Sequence, residues 1–375
     1  MTKFKTTLLA MAVSAAAFSV QAAQVSLYGS VSTGLLYSNS ASLSGGVDAQ
    51  GNALDNQQSV DSFSMESGFW GDSIWGITGE EDLGNGWTVG FTLENEFGSD
   101  TGALATDGKI FDSQAYLRIG NDKVNFAFGN IGGLASAGGD FDLICGFDPM
   151  EAFVGVAGLG AFASKDFASD NMAVVEVTPM EGLKVSLMGN TGDDDSNAKW
   201  SDRDHYYGLG VSYENGPLAL AAIAEMRKYD RAADWADNDD SWTFTVAAAY
   251  DFEVVRPSFV YQHASKTREF AAGDISGAAY NFDSFMLGAT APLGQGTLRA
   301  SVQYAVSDEE GNATILGLAY TYDMSKRTTL YGAAFYSVGG DGLDKDLGTN
   351  EMAFGLMDRA EYNSVGFGVG LVHTF

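Results

Sequence analysis

The chain has 375 residues, 45% of them hydrophobic, yet its mean hydropathy is only −0.04, so apolar and polar residues must be interleaved. Its 49 acidic residues against 20 basic ones give a net charge of −29, which excludes a nucleic-acid partner because that needs a basic face. The lone Cys145 excludes an internal disulfide framework, and with only 3 histidines no Cys/His set has the spacing of a zinc site.

Met1–Lys5 is short and basic, an apolar run follows from Thr6 to about Val20, and Val20-Gln21-Ala22 places small residues where a signal peptidase reads. This predicts a Sec-type signal peptide over residues 1–22. At about 15 residues the run is short of the roughly 20 that a spanning helix needs. The mature region, residues 23–375, contains all 47 glycines, many Phe and Tyr, and only 5 prolines, a composition suited to long strands joined by turns.

Taken in order, the segments alternate. Val25, Leu27, Val31, Leu35 and Tyr37 share one face; Ser26, Tyr28, Ser30 and Ser32 share the other. Trp87, Val89, Phe91 and Leu93 oppose Thr88, Thr92, Glu94 and Glu96, and Ala115, Leu117 and Ile119 oppose Gln114, Tyr116 and Arg118. The pattern recurs at Val124–Phe128, Leu183–Leu187, Tyr207–Tyr213, Leu218–Met226, Trp242–Tyr250, Leu298–Tyr304, Leu316–Tyr322 and Val365–Phe375. Strand side chains alternate between faces, so each strand has one apolar face and one polar face. In a closed membrane barrel the apolar face meets lipid and the polar face meets water.

Seven tight turns punctuate these strands: 82–86, 120–123, 179–182, 214–217, 251–253, 292–296 and 323–326. They carry the Gly, Asn, Asp and Pro that tight turns demand. Longer loops lie between the hairpins, at roughly 38–62, 97–110, 130–169, 191–204, 228–240, 265–282, 306–313 and 338–360. Seven turns and eight loops predict a sixteen-stranded antiparallel transmembrane β-barrel, with turns at the periplasmic rim and loops outside. The second strand, about 68–79, is the least regular. A barrel of this size encloses an aqueous channel.

The loop at 130–169 is much the longest and is rich in Phe141, Leu143, Ile144, Phe147, Phe153, Leu159 and Phe162. Left in water, so much apolar surface would be costly. Folding into the lumen as a constriction loop resolves this; contact with a neighbouring subunit is the alternative.

In sequence and order the chain resembles the Gram-negative general porins of the neisserial and Burkholderia type. The likeness rests on Gln24-Val25-Ser26-Leu27-Tyr28-Gly29, Trp75–Gly86, Gln114-Ala115-Tyr116-Leu117, Ser325–Tyr331 and the end Gly370–Phe375 with its terminal Phe. The resemblance implies an outer-membrane homotrimer of sixteen-stranded barrels, with loop three folded into the lumen, that lets ions and small hydrophilic solutes diffuse passively. The chain departs from that pattern where Ile74, Thr78, Asn130 and Val372 stand at or near positions the family fills with arginine. A charge preference therefore does not carry over.

The candidate constriction residues are Asp140, Asp142, Asp148 and Glu151 on loop three. The candidate pore-lining residues are Arg118, Lys184, Arg227, Arg256 and Arg299, with Glu94, Glu96, Glu176 and Glu225. Parity places them inward but does not fix their height, although Arg118, Lys184, Arg256 and Arg299 lie close in sequence to short turns, hence near the periplasmic rim. Rings of charge at a constriction set ion selectivity, and the acidic loop predicts a cation preference. A sugar- or dicarboxylate-selective channel and a non-transport barrel such as an adhesin are the alternatives. No Ser-His-Asp arrangement brings His205, His263 and His373 into a catalytic site, and Gly132-Gly133 lacks the setting of a phosphate loop, so neither enzymatic chemistry nor a cofactor is expected. Asp193-Asp194-Asp195 and Asp234, Asp237, Asp239 and Asp240 fall in outer loops. They could bridge divalent cations to lipopolysaccharide or simply be solvated; no calcium-loop spacing is present.

Overall fold

The computed structural model describes residues 24–41, 59–68, 70–136, 138–151, 159, 162, 169–192, 199–200, 203–228, 240–267, 280–307, 312–339 and 364–375. The expected signal peptide, the acidic triplet at 193–195 and Asp234, Asp237 and Asp239 lie outside these residues.

The described strands are β1 (Gln24–Ala41), β2 (Ser59–Ser67), β3 (Ile74–Gly84), β4 (Trp87–Glu96), β5 (Gln114–Gly120), β6 (Val124–Ile131), β7 (Ser169–Met180), β8 (Leu183–Asn190) and β9 (His205–Asn215). They continue as β10 (Leu218–Lys228), β11 (Ser241–Tyr250), β12 (Arg256–Thr267), β13 (Tyr280–Leu293), β14 (Gly296–Ser307), β15 (Asn312–Ser325), β16 (Thr328–Gly339) and β17 (Ser364–Thr374). All join one sheet with antiparallel neighbours, and the sheet closes because β17 pairs with β1, with Ser30 facing Thr374 and Ser40 facing Ser364. Closure removes the free edges a sheet would otherwise expose. The last residue completes the seam: Phe375 N–H donates to Gly29 O at 3.0 Å and Gly29 N–H to Phe375 O at 3.2 Å.

Seventeen strands make sixteen staves, because β2 and β3 lie end to end along β1: Thr33–Ala41 face Ser59–Ser67 and Gln24–Ser30 face Ile74–Glu80. This corrects the sequence expectation of a second strand at about 68–79. The stave starts earlier, at Ser59, and is interrupted at residues 68–73. Gly68 (φ 64°) and Gly71 (φ 72°) bracket the break in left-handed conformations that a side chain would strain. A local break of this kind erases the alternation that reveals a strand.

The faces follow the predicted parity. On β11, Trp242 and Phe244 are exposed while Thr243 and Thr245 are buried; on β17, Val365, Phe367 and Val369 are exposed while Gly366 and Gly368 are buried. The exposed face is the apolar one, the reverse of a water-soluble protein. The seven tight turns are all present. In the first, Gly84, Asn85 and Gly86 have φ of 83°, 54° and 78°.

The inner face is less uniformly polar than alternation implied. Ala221, Ile223, Val260, Met286 and Ile315 are inward and buried among Ser, Thr and Gln. One buried apolar cluster joins several of these wall residues with Leu134, Phe141, Ile144, Phe147 and Met150 of the segment that follows β6.

Candidate functional site

The inner face of the wall carries the charged groups, and each has identifiable neighbours. On β4, Glu94 is buried and accepts from Tyr28 Oη at 2.8 Å, Ser113 Oγ at 2.5 Å and Gln114 Nε2 at 3.3 Å. Glu96 ends the same strand, and its backbone N–H donates to the buried Asp112 carboxylate at 3.0 Å. On β7, Glu176 pairs with Lys184 of β8 at 2.9 Å. On β10, Glu225 is 1% exposed and accepts from Tyr206 Oη at 2.7 Å, Thr243 Oγ1 at 3.1 Å and Ala135 N–H at 3.3 Å.

The bases are matched to acids. Arg118 meets Glu80 at 2.6 Å, Arg227 lies 3.7 Å from Asp204, and Arg256 is faced by Asp251 and Glu214. Arg299 meets Glu151 at 2.7 Å and donates to Pro149 O at 3.0 Å. Adjacency to a short turn suggested a rim position for Arg299. Its backbone does lie next to the turn that joins β13 and β14, and its long side chain extends from the wall to loop three, a partner distant in sequence, where it is almost buried.

The four loop carboxylates differ in surroundings. Asp140 accepts from Tyr116 Oη on β5, and its N–H donates to Gln114 Oε1 at 3.0 Å. Asp142 Oδ1 accepts from the N–H groups of Ile144 at 3.0 Å and Cys145 at 2.6 Å, an Asx turn leading into the 3-10 turn Cys145–Phe147. Asp148 does the same for Met150 N–H at 2.8 Å. Glu151 accepts from Trp70 Nε1 at 3.1 Å as well as from Arg299.

The backbone between β6 and Glu151 is held by several staves. Leu134 N–H donates to Tyr206 Oη of β9 at 3.1 Å, and the Phe141 ring lies edge-on to Tyr116 at 5.5 Å. Glycines make space on the wall: a Cβ at Gly210 would sit 2.4 Å from Leu143 Cδ1, and one at Gly288 would sit 2.5 Å from Pro149 Cγ. Sequence reasoning did not find Trp70, Glu80, Asp112 or Ser113 as site residues. Trp70 carried a readable signal, a bulky aromatic inside the glycine-bracketed 68–71. Among the described residues no group of three or more His, Cys, Asp or Glu is arranged to hold a metal ion.

Known proteins share this architecture. Structural likeness runs to an anion-selective porin of Comamonas acidovorans, with TM-score 0.70 and 22% identity, covering 94% of this chain and all of that one. It also runs to the trimer form of OmpT of Vibrio cholerae, with TM-score 0.61 and 14% identity, covering 94% of this chain and all of that one. In sequence, the chain is 27% identical to an outer membrane porin protein of Bordetella pertussis, over 99% of this chain and 100% of the relative. Outer membrane porin protein 32 of Delftia acidovorans is 28% identical, again over 99% of this chain and the whole relative. The family model of Gram-negative porins matches residues 6–341. A closed sixteen-stave barrel with an apolar exterior, a charged inner wall and this sequence match places the chain in the Gram-negative porin family, as a non-enzymatic outer-membrane channel for passive diffusion.

Proposed function

We propose that this porin prefers cations, and that loop three, between β6 and β7, folds into the lumen and forms its constriction. Support for the inward loop comes from its contacts. Asp140, Leu134, Ala135, Pro149 and Glu151 meet inward side chains of β5, β9, β10 and β14, and the loop's apolar residues share a buried cluster with the wall.

The observation that carries the cation preference is the pairing of wall bases. Arg118, Lys184, Arg227 and Arg299 are each in an ion pair with an acid, and Arg256 faces two. Glu94, Asp112 and Asp140, whose hydrogen-bond partners are neutral groups, then leave the interior with an excess of carboxylate. Such a channel concentrates cations, and charges at its narrowest point act even where salt screens the mouth beyond about 8 Å. The likeness to an anion-selective porin is at the level of fold, and fold does not carry ion preference. An acid-rich wall also disfavours a dicarboxylate-selective channel.

The channel works as a homotrimer, its loops facing outside and its short turns facing the periplasm. The apolar outward residues Val25, Leu27 and Phe367 on the closing staves supply a surface for subunit contact, and OmpT offers a trimeric relative of the fold. Reversal potentials in planar bilayers under a KCl gradient test the ion preference. A potential of the sign given by cation flow is expected; the opposite sign refutes it. Heat-dissociable trimers in mild detergent are expected, and a purely monomeric species refutes the assembly.

A further inference from the structure

The break in the second stave turns a tryptophan into the barrel. Trp70 is 4% exposed, and its indole stacks on Tyr331 of β16 at 5.6 Å with an interplanar angle of 26°. To reach β16 it must pass over β1 and β17. On β1 the crossing passes Ser32, which hydrogen-bonds the Trp70 backbone, and on β17 it is open at a glycine: a Cβ at Gly370 would lie 2.1 Å from Tyr331 Oη and 2.6 Å from Thr33 O, so only glycine leaves Tyr331 its place. The Arg299 guanidinium sits over the indole at 5.3 Å from the ring centroid. Both groups hold the same carboxylate: Trp70 Nε1 at 3.1 Å from Glu151 Oε2, and Arg299 Nη1 at 2.7 Å from Glu151 Oε1. Glu151 itself has φ 49°, a left-handed conformation that a non-glycine residue keeps only when its surroundings hold it.

We propose that Trp70 and Arg299 are positioning residues that latch the Pro149–Glu151 turn of loop three to the wall and so set the open width of the pore. This rests on the reading that loop three lies in the lumen. The latch joins three distant parts of the chain: the strand break, the loop tip and β14. It fixes the loop with one indole N–H, one ion pair and one backbone acceptor, Pro149 O. It also keeps the Arg299 charge on Glu151 and away from passing ions. A loop released at this end would sample positions across the lumen, and the current would report it directly.

The test is a charge swap read by single-channel recording of the full-length protein reconstituted as purified from outer membranes. Arg299→Glu and Glu151→Arg each place like charges together, and each should raise current noise and lower the voltage at which the channel closes. The double variant Glu151→Arg/Arg299→Glu restores the ion pair but neither the indole bond nor the bond to Pro149 O, and should return current noise and closing voltage part of the way from the singles to wild type. Trp70→Phe keeps the ring on Tyr331 but removes the indole N–H, and should give a smaller shift in the same direction; it guards against the case in which a charge variant fails to assemble. Singles with wild-type noise and closing voltage, together with a silent Trp70→Phe, overturn the latch. So does a double variant that stays as noisy as the singles. Modification of Cys145 by a small charged thiol reagent reports the underlying reading separately. If modification leaves the current unchanged, loop three does not line the pore and the latch falls with it. If modification blocks the current while the swap fails to rescue, only the latch falls.

Discussion

The Arg299 guanidinium reaches Glu151 at 2.7 Å and, through the same Nη1, the carbonyl of Pro149 at 3.0 Å, so one wall side chain holds both ends of a three-residue turn. The arginine is 10% exposed and the glutamate 43%, so the pair is neither fully desolvated nor freely hydrated. Breaking a pair in this intermediate setting by removing one partner costs less than breaking a buried one and more than breaking a surface one. Replacing Arg299 with Gln should lower stability by about 1.5–3 kcal/mol, the range for hydrogen bonds to charged groups. The temperature at which the folded barrel unfolds in detergent measures this, and an unchanged temperature refutes it.

The same pairing makes a prediction about charge. Glu151→Gln removes the acid but leaves an oxygen that can still accept from Trp70 Nε1. Arg299 then keeps its place without its counter-charge. Cation preference, read from the reversal potential, should fall by more than it does for Asp140→Asn, where the carboxylate accepts from the Tyr116 hydroxyl. Equal shifts for the two variants would mean that Arg299 is not sensed by passing ions.

Replacing Asp140, Asp142, Asp148 and Glu151 together with Asn or Gln should erase the cation preference while the barrel stays folded. Folding survives because Asx turns at Asp142 and Asp148 need only a side-chain oxygen, which Asn retains. Reversal potentials on the folded quadruple variant are the measurement. An unchanged potential places selectivity elsewhere on the wall.

Cys145 offers a pH-dependent probe. Its side chain is exposed, yet desolvation by the surrounding loop, followed by the carboxylates of Asp142, Asp148 and Glu151, raises its thiol pKa well above the ordinary value. The thiolate is the reactive form, and a free cysteine reaches it near pH 8.5. Modification of Cys145 should therefore keep accelerating above that pH, and Asp142→Asn should speed it at a fixed pH. A rate that levels off at or below the free-thiol value contradicts this.

Removing Phe375 deletes two backbone hydrogen bonds at the seam, at 3.0 and 3.2 Å to Gly29. Each is worth about 0.5–1.5 kcal/mol, so the truncated barrel should unfold at a lower temperature in detergent. Gly29→Ala should act at the same place, because its Cβ would lie 2.5 Å from the Phe375 ring and 2.6 Å from Ile74 O. Wild-type unfolding temperatures for both would separate the seam from barrel stability.

What the sequence determined by itself is the set of local features. A strand repeats every two residues, so the facing of Leu117 against Arg118 or of Phe244 against Thr245 could be read without neighbours. Turn residues are equally local, and Gly84-Asn85-Gly86 declares a hairpin wherever it occurs. Turns and alternation together gave the stave count and the two faces.

Tertiary structure decided everything that depends on height and on distant partners. Alternation places Arg299 inward but says nothing of which carboxylate it meets, since Glu151 approaches from another part of the chain. The 68–73 break hid the second stave, because left-handed glycines suspend the two-residue period that pattern reading needs. Trp70 entered the site through that interruption. Its partners on β16, β14 and loop three become neighbours only once the sheet has closed on itself.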